Sequence, residues 1–210
     1  MKAAFVLATI PFTQALVGLG WSVLNSPSSG LKDITFPISM ANAPHQTGFY
    51  LADFVAGTTS TDPNYIDDAD GGAGISCSVD IPAPYAPLYH LVVKNTGGTT
   101  WTGTLVDTVS GKSTHVGSYT LPNGAGGIKS GQVGFIEYYL WNDMANHMCS
   151  SLPYTDVTFG APTTSTPGAG SGQLIKPYEY GDCVGKVNFD VQETAQGYQV
   201  TGVSWLSERE

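Results

Sequence analysis

The stretch GQVGFIEYYLWND, residues 131–143, sets one carboxylate, Glu137, in the most apolar run of the chain beyond its N-terminus. A carboxyl group there has two chemistries open to it. It can move protons in general acid–base catalysis, or it can accept hydrogen bonds from the hydroxyls of a bound ligand. Side chains alternate along a strand, so Phe135, Glu137, Tyr139 and Trp141 share one face, with Gly134, Ile136, Tyr138 and Leu140 on the other. The second set reads as core. The first set, joined by Trp101 and Trp205, reads as a platform on which aromatic rings stack against sugars while Glu137 binds their hydroxyls. Large rings more often fill a core than bind a ligand, so the competing reading buries these aromatics and leaves Glu137 at an edge.

Other groups that could do chemistry are few. DPNYIDDADGG carries Asp62, Asp67, Asp68 and Asp70, hard oxygen ligands of the kind Ca²⁺ takes. The EF-hand pattern fails, because Ile66 stands where its first ligand belongs, and an acidic solvated loop is the favoured reading. No cofactor is expected. The histidines (His45, His90, His115, His147) lack the H-E-x-x-H spacing, and no C-x-x-C occurs, so the sequence offers no zinc site. Of Cys77, Cys149 and Cys183, the pair Cys149–Cys183 is the favoured disulfide. Both flank a Ser/Thr/Pro/Gly-rich loop, and tying it down should stabilise by about 3–4 kcal/mol on the chain-entropy view. Cys77 is then left unpaired or buried.

The elements that must position these groups are strands. The 210 residues contain 26 glycines and 13 prolines, and helix-forming runs are scarce. LYHLVVKN, WTGTLVDTV and STHVGSYTL follow one another across Gly97-Gly98 and Ser110 to Lys112, as two successive hairpins. YTDVTFG sets Val157 and Phe159 against Asp156 and Thr158. VNFDVQ sets Val187, Phe189 and Val191 against Asn188, Asp190 and Gln192, and turns back at Gln196-Gly197. About eight to twelve strands without helices predict an all-β, two-sheet antiparallel β-sandwich of the jelly-roll kind. Residues 160–177 read as a long internal loop and NGAGGIKSG as a glycine-rich connection, not a phosphate cradle, since it lacks G-K-[ST] and a following helix.

Lys2 precedes an apolar run from Ala3 to Phe12, followed by small residues, which is the layout of a secretory signal. The expectation is a signal peptide over residues 1–18 and a single domain over 19–210, secreted and extracellular; a buried N-terminal strand or helix is the alternative. The formal net charge is −9, with 8 basic residues against 17 acidic. That balance disfavours nucleic acid and anionic membrane surfaces as partners.

YHLVVKNTGGTTWTGTLVDTVSGKSTHV, then FIEYY, CSSLPYTDVTFGAP and a final VNFDV…YQVTGVSW follow an order that resembles the secreted glutamic peptidases of fungi. The EYY…C…LPYTDVTFG pattern also resembles a looser set of secreted concanavalin-like proteins. The first resemblance implies an acid endopeptidase in which a glutamine and a glutamate activate water, with Gln46 of HQTGFY as the glutamine. The peptidase strand reads Ala-Glu-Trp-Ile-Val-Glu. Setting its Trp-Ile on Phe135-Ile136 places Gly134 where the essential glutamate belongs and turns Glu137 to the opposite face. A sandwich glycosidase needs two carboxylates roughly 5–10 Å apart. The same-face neighbours of Glu137 are not acidic, so Asp53 or Asp107 would have to come from another strand. The sequence therefore favours extracellular glycan binding through Trp101, Phe135, Glu137, Tyr139 and Trp141. Acid glutamic peptidase activity through Glu137 and Gln46 is the alternative, and a secreted effector acting on another protein is the third reading.

Overall fold

A computed structural model describes residues 2–6, 17–43, 48–53, 55–66, 73–137 and 148–203; at 2–6, 48–53, Glu137 and Val203 it describes the backbone alone. Fourteen strands run along these residues. They are β1 (Lys2–Val6), β2 (Val17–Val23), β3 (Asp33–Ser39), β4 (Gly48–Asp53), β5 (Tyr65–Ile66), β6 (Ile75–Asp80), β7 (Tyr89–Gly97) and β8 (Thr100–Asp107). Then follow β9 (Ser113–Thr120), β10 (Gly131–Glu137), β11 (Thr155–Gly160), β12 (Gly172–Glu179), β13 (Asn188–Thr194) and β14 (Gly197–Val203). Among the described residues the only helical piece is a 3₁₀ turn at Cys149–Ser151.

The strands form two sheets, ordered β12-β2-β10-β1-β4-β6-β5 and β13-β14-β11-β3-β7-β8-β9. The pairing is antiparallel except between β1 and β4. This is the all-β sandwich that the alternating segments predict. The β7-β8-β9 meander and the β13-β14 hairpin, with Thr194 opposite Gly197, lie where the sequence puts them.

The core fills the space between the sheets. From the first sheet β2 contributes Val17, Leu19, Trp21 and Val23. From the second come Ile34, Phe36 and Ile38, Leu91 and Val93, Trp101 and Leu105, Val157 and Phe159, and Val200. Trp21 is central: its ring meets Phe36 and Phe159 edge-on at centroid distances of 4.9 and 5.9 Å, and its Nε1–H donates to the Gly160 carbonyl at 3.1 Å. An indole buried this deeply needs that acceptor, since an unpaired N–H costs free energy in the interior.

One segment differs from the sequence reading. Residues 160–177 are only partly loop: Thr163 bridges Thr35, and β12, which begins at Gly172, pairs with β2. Lys2–Val6 is a strand between β10 and β4. A cut after residue 18 would remove that strand and also Val17 and Gly18 from β2.

Candidate functional site

The outward face of the first sheet is where the strand parity sets its exposed groups. Val17, Leu19, Trp21 and Val23 point into the core, so Gly18, Gly20 and Ser22 between them lie on the opposite face. VGLGWSV thus leaves a strand without side-chain bulk at two outward positions. Neighbouring strands lean over that gap. A Cβ on Gly18 would stand 2.7–2.9 Å from the Tyr178 ring, and one on Gly20 would stand 3.0 Å from Ile175 Cδ1. Glycine inside a strand marks such a close approach.

Register orders this face into rows. Ile175 pairs with Gly20, and Gly20 with Val133. Tyr178 pairs with Gly18, and Gly18 with Phe135. In the next row along β10, Glu137 pairs with Lys2 of β1. Ile175, Tyr178 and Val133 are 61%, 53% and 38% exposed.

This register has the division of faces that the alternation predicts. Gly134 pairs with Leu19 and has the parity of Ile136, a core residue. A side chain at position 134 would face the interior. Glu137 instead occupies the parity of Val133 and Phe135, on the outward side.

The sugar platform is corrected. Trp101 is 3% exposed and belongs to the core between the sheets, on a strand of the second sheet. Phe135 is 3% exposed as well, so neither ring has a free face for a sugar. Tyr139, Trp141 and Trp205 lie outside the described residues, as do Gln46 and the acidic trio Asp67, Asp68 and Asp70. Asp107 does not join Glu137: it sits in the second sheet, where its carboxylate accepts from Val109 N, Ser110 N and Ser110 Oγ to close a turn. Asp53 lies two strands from β10 in the first sheet, at the end of β4.

The predicted disulfide is present, Cys149–Cys183, and the two cysteines close a small cluster with Leu152 and Val187. It tethers the 3₁₀ turn to the loop after β12. Glu179 reinforces that loop by accepting from Gly185 N. Cys77 is free and buried; burial, with the Asp62 carboxylate nearby, pushes its thiol up to about 12, so it is no nucleophile.

Two carboxylates, Asp33 and Asp62, organise loops. Asp33 accepts from Thr164 Oγ1 at 3.0 Å, from Ser165 N at 2.7 Å and from Ser165 Oγ. Burial pushes its pKa up, but those bonds and Lys94 outweigh burial and hold it below the ordinary value. Asp33 thereby pins the segment that leads into β12. Asp62 covers the free edge of β9: it accepts from Ser118 N at 3.0 Å and meets His115 Nε2 at 2.5 Å, while Asn64 Nδ2 donates to Val116 O. Burial pushes its pKa up too, but His115, Asn64 N and Ser118 N outweigh burial and hold it below the ordinary value. Neither carboxylate lies on the outward face of the first sheet.

No family model matches the chain, and no curated protein does. Among solved structures, scytalido-glutamic peptidase with a transition state analog inhibitor is similar at 13% identity, over 90% of this chain and 92% of that one, with a TM-score of 0.34. SCP-B, a member of the eqolisin family of peptidases, in a complex with the tripeptide Ala-Ile-His, has the same identity and coverage and a TM-score of 0.31.

Proposed function

We propose that the outward face of the first sheet binds an extended polypeptide, and that Glu137 acts there as acid and base in peptide hydrolysis at acid pH. The observation that carries this is the register of β10. The interior parity belongs to Gly134, and Glu137 has the strand parity of Val133 and Phe135 on the other face. As a carboxylate, Glu137 takes a proton from water as its oxygen adds to the scissile carbonyl. As a carboxylic acid, it then gives that proton to the departing amine as the C–N bond breaks. Gln46 is the proposed amide donor to the oxyanion. A carboxyl group in this double role works near its own pKa, hence the acid range. The Cys149–Cys183 bridge supports an extracellular setting, since such bonds persist in oxidising compartments.

Glycan binding is the second reading. Its original platform is lost with Trp101 and Phe135, and what favours it now is the exposed ring of Tyr178. Incubation with denatured casein or haemoglobin at about pH 2–4 tests the first reading, because a carboxyl catalyst needs that range. New peptides should form with the wild type and not with Glu137→Gln. Retention on a polysaccharide panel, without proteolysis, would favour the second.

A further inference from the structure

The segment that leads into β5 contains Asp62-Pro63, the one Asp-Pro bond in the sequence. Its nitrogen belongs to a tertiary amide, which leaves as a secondary amine. The Asp62 carboxyl group can close a five-membered ring on the carbonyl carbon of the same bond. We propose that Asp62–Pro63 is a self-cleavage site, latent while Asp62 is held against β9, and that acid releases it to cut the chain into residues 1–62 and 63–210.

The step balances with water alone. An oxygen of the Asp62 carboxyl group adds to the main-chain carbonyl carbon of Asp62, forming a C–O bond and a tetrahedral intermediate. The C–N bond to Pro63 breaks, and the carboxyl proton passes to the Pro63 nitrogen. Asp62 is left as a cyclic anhydride, which one water opens to two carboxyl groups. Nothing is oxidised or reduced.

The turn is arranged for this step. Tyr65 N donates to the Asp62 carbonyl oxygen at 3.2 Å, and that is the oxygen on which negative charge develops as the ring closes. Pro63 is exposed, so water reaches the leaving nitrogen and the anhydride.

The same structure keeps the bond intact at neutral pH. The Asp62 side chain is only 6% exposed. Its Oδ1 accepts from Asn64 N at 3.0 Å, and its Oδ2 accepts from Ser118 N at 3.0 Å and meets His115 Nε2 at 2.5 Å. A carboxylate shared among three donors is a weak nucleophile, and ring closure costs those bonds. Burial raises the Asp62 pKa, but the bonds from His115, Asn64 N and Ser118 N and the charge of His115 hold it below the ordinary value. Asp62 therefore stays ionised and held at neutral pH, and the hold is lost as pH falls through that depressed value. The titratable groups that face it are His115 from β9 and Cys77 from β6, whose thiol burial keeps protonated. Thr104 of β8, which pairs with His115, carries no charge. Protonation of Asp62 both loosens the hold and supplies the proton that Pro63 takes.

The two pieces stay together after the cut. Ladders cross it from β2 to β10 and β12, from β3 to β7 and β11, and from β4 to β6. The Cys149–Cys183 bridge lies within the second piece and does not link the two.

The test follows the intact chain carrying Glu137→Gln, so that the proposed peptidase is silent, by mass spectrometry from neutral pH down to about pH 2. Fragments 1–62 and 63–210 should accumulate in the acid range only, at a first-order rate independent of protein concentration. Asp62→Glu, which enlarges the ring by one atom, and Asp62→Ala should leave this bond whole. His115→Ala removes one donor to a charged group and should cut about tenfold faster at the same acid pH. Unfolding the parent in urea at that pH should also speed the cut, which keeps the hold testable if His115→Ala does not fold. Size-exclusion chromatography should return the cut chain as one species that denaturant separates. No cut at this bond at any pH, a rate that rises with protein concentration, or an equal rate in Asp62→Glu overturns the self-cleavage. A rate unchanged by urea overturns the hold, as does an unchanged rate in a His115→Ala chain that circular dichroism shows to be folded. Fragments that part without denaturant overturn the joined product.

Discussion

Replacing Asp33 by asparagine tests how the chain before β12 is held. The carboxylate accepts three hydrogen bonds from two consecutive residues, Thr164 and Ser165, and one of these comes from a backbone N–H. Bonds to a charged acceptor contribute about 1.5–3 kcal/mol each, less when they share one group. The amide keeps the shape and one acceptor oxygen but faces Ser165 with an N–H₂. A net loss of about 2 kcal/mol at neutral pH follows, or about 4–8 °C in Tm for a chain of this size. The loss depends on pH with a definite sign. The Asp33 pKa is lower in the folded protein than in the unfolded chain, so its contribution is complete above the unfolded value of about 4 and fades as pH falls through the folded value. Denaturant unfolding of wild type and Asp33→Asn at pH 7, 4 and 2 should therefore give a difference that shrinks toward the acid end. A difference below about 0.5 kcal/mol at pH 7, or one that stays constant with pH, refutes the latch.

Asp62→Asn should cost about 1–3 kcal/mol at neutral pH, again less in acid because the Asp62 pKa is depressed, and light scattering on heating should rise as the β9 edge loses its cover. Cys149→Ser with Cys183→Ser should lower stability by about 3–4 kcal/mol, measured by chemical denaturation, because the bridge closes a separation of 34 residues. The pairing of β1 with both β10 and β4 predicts that a chain lacking residues 1–18 loses cooperative unfolding in calorimetry; a sharp transition in that truncated chain would show that the sheet closes without β1.

Much of the fold is legible in the sequence because a half-buried strand writes its face into every second residue. Val157 and Phe159 against Asp156 and Thr158 is such a record, and Tyr89, Leu91 and Val93 are another. Alternation does not say which face is inside when both carry apolar groups. In β10, Ile136 faces the core while Phe135 is buried on the other side, so the sequence could not separate platform from filling. Trp101 pairs with Asn95 and Tyr119 in hairpins that the sequence shows, but its burial depends on the opposite sheet, which the sequence does not show. VGLGWSV carries a usable signal, glycines alternating with Val17, Leu19 and Trp21. The strand at residues 172–179 was hidden by the Ser, Thr, Pro and Gly that precede it, and the ladder to β2 and the Asp33 latch supply its order. The candidate site was legible in part. Glu137 stood out by type, and only the ladder with β2 and β1 shows which side of the sheet its position belongs to.

The central claim, that Glu137 on the open face performs acid peptide hydrolysis, is tested most directly by kcat/KM against pH for wild type and Glu137→Gln on one denatured protein substrate. The claim predicts activity confined to the acid range, falling as pH rises through a carboxyl titration, and a loss of at least a hundredfold in the glutamine variant. Activity that survives Glu137→Gln with the same pH profile, or no hydrolysis by the wild type at any pH, would contradict it.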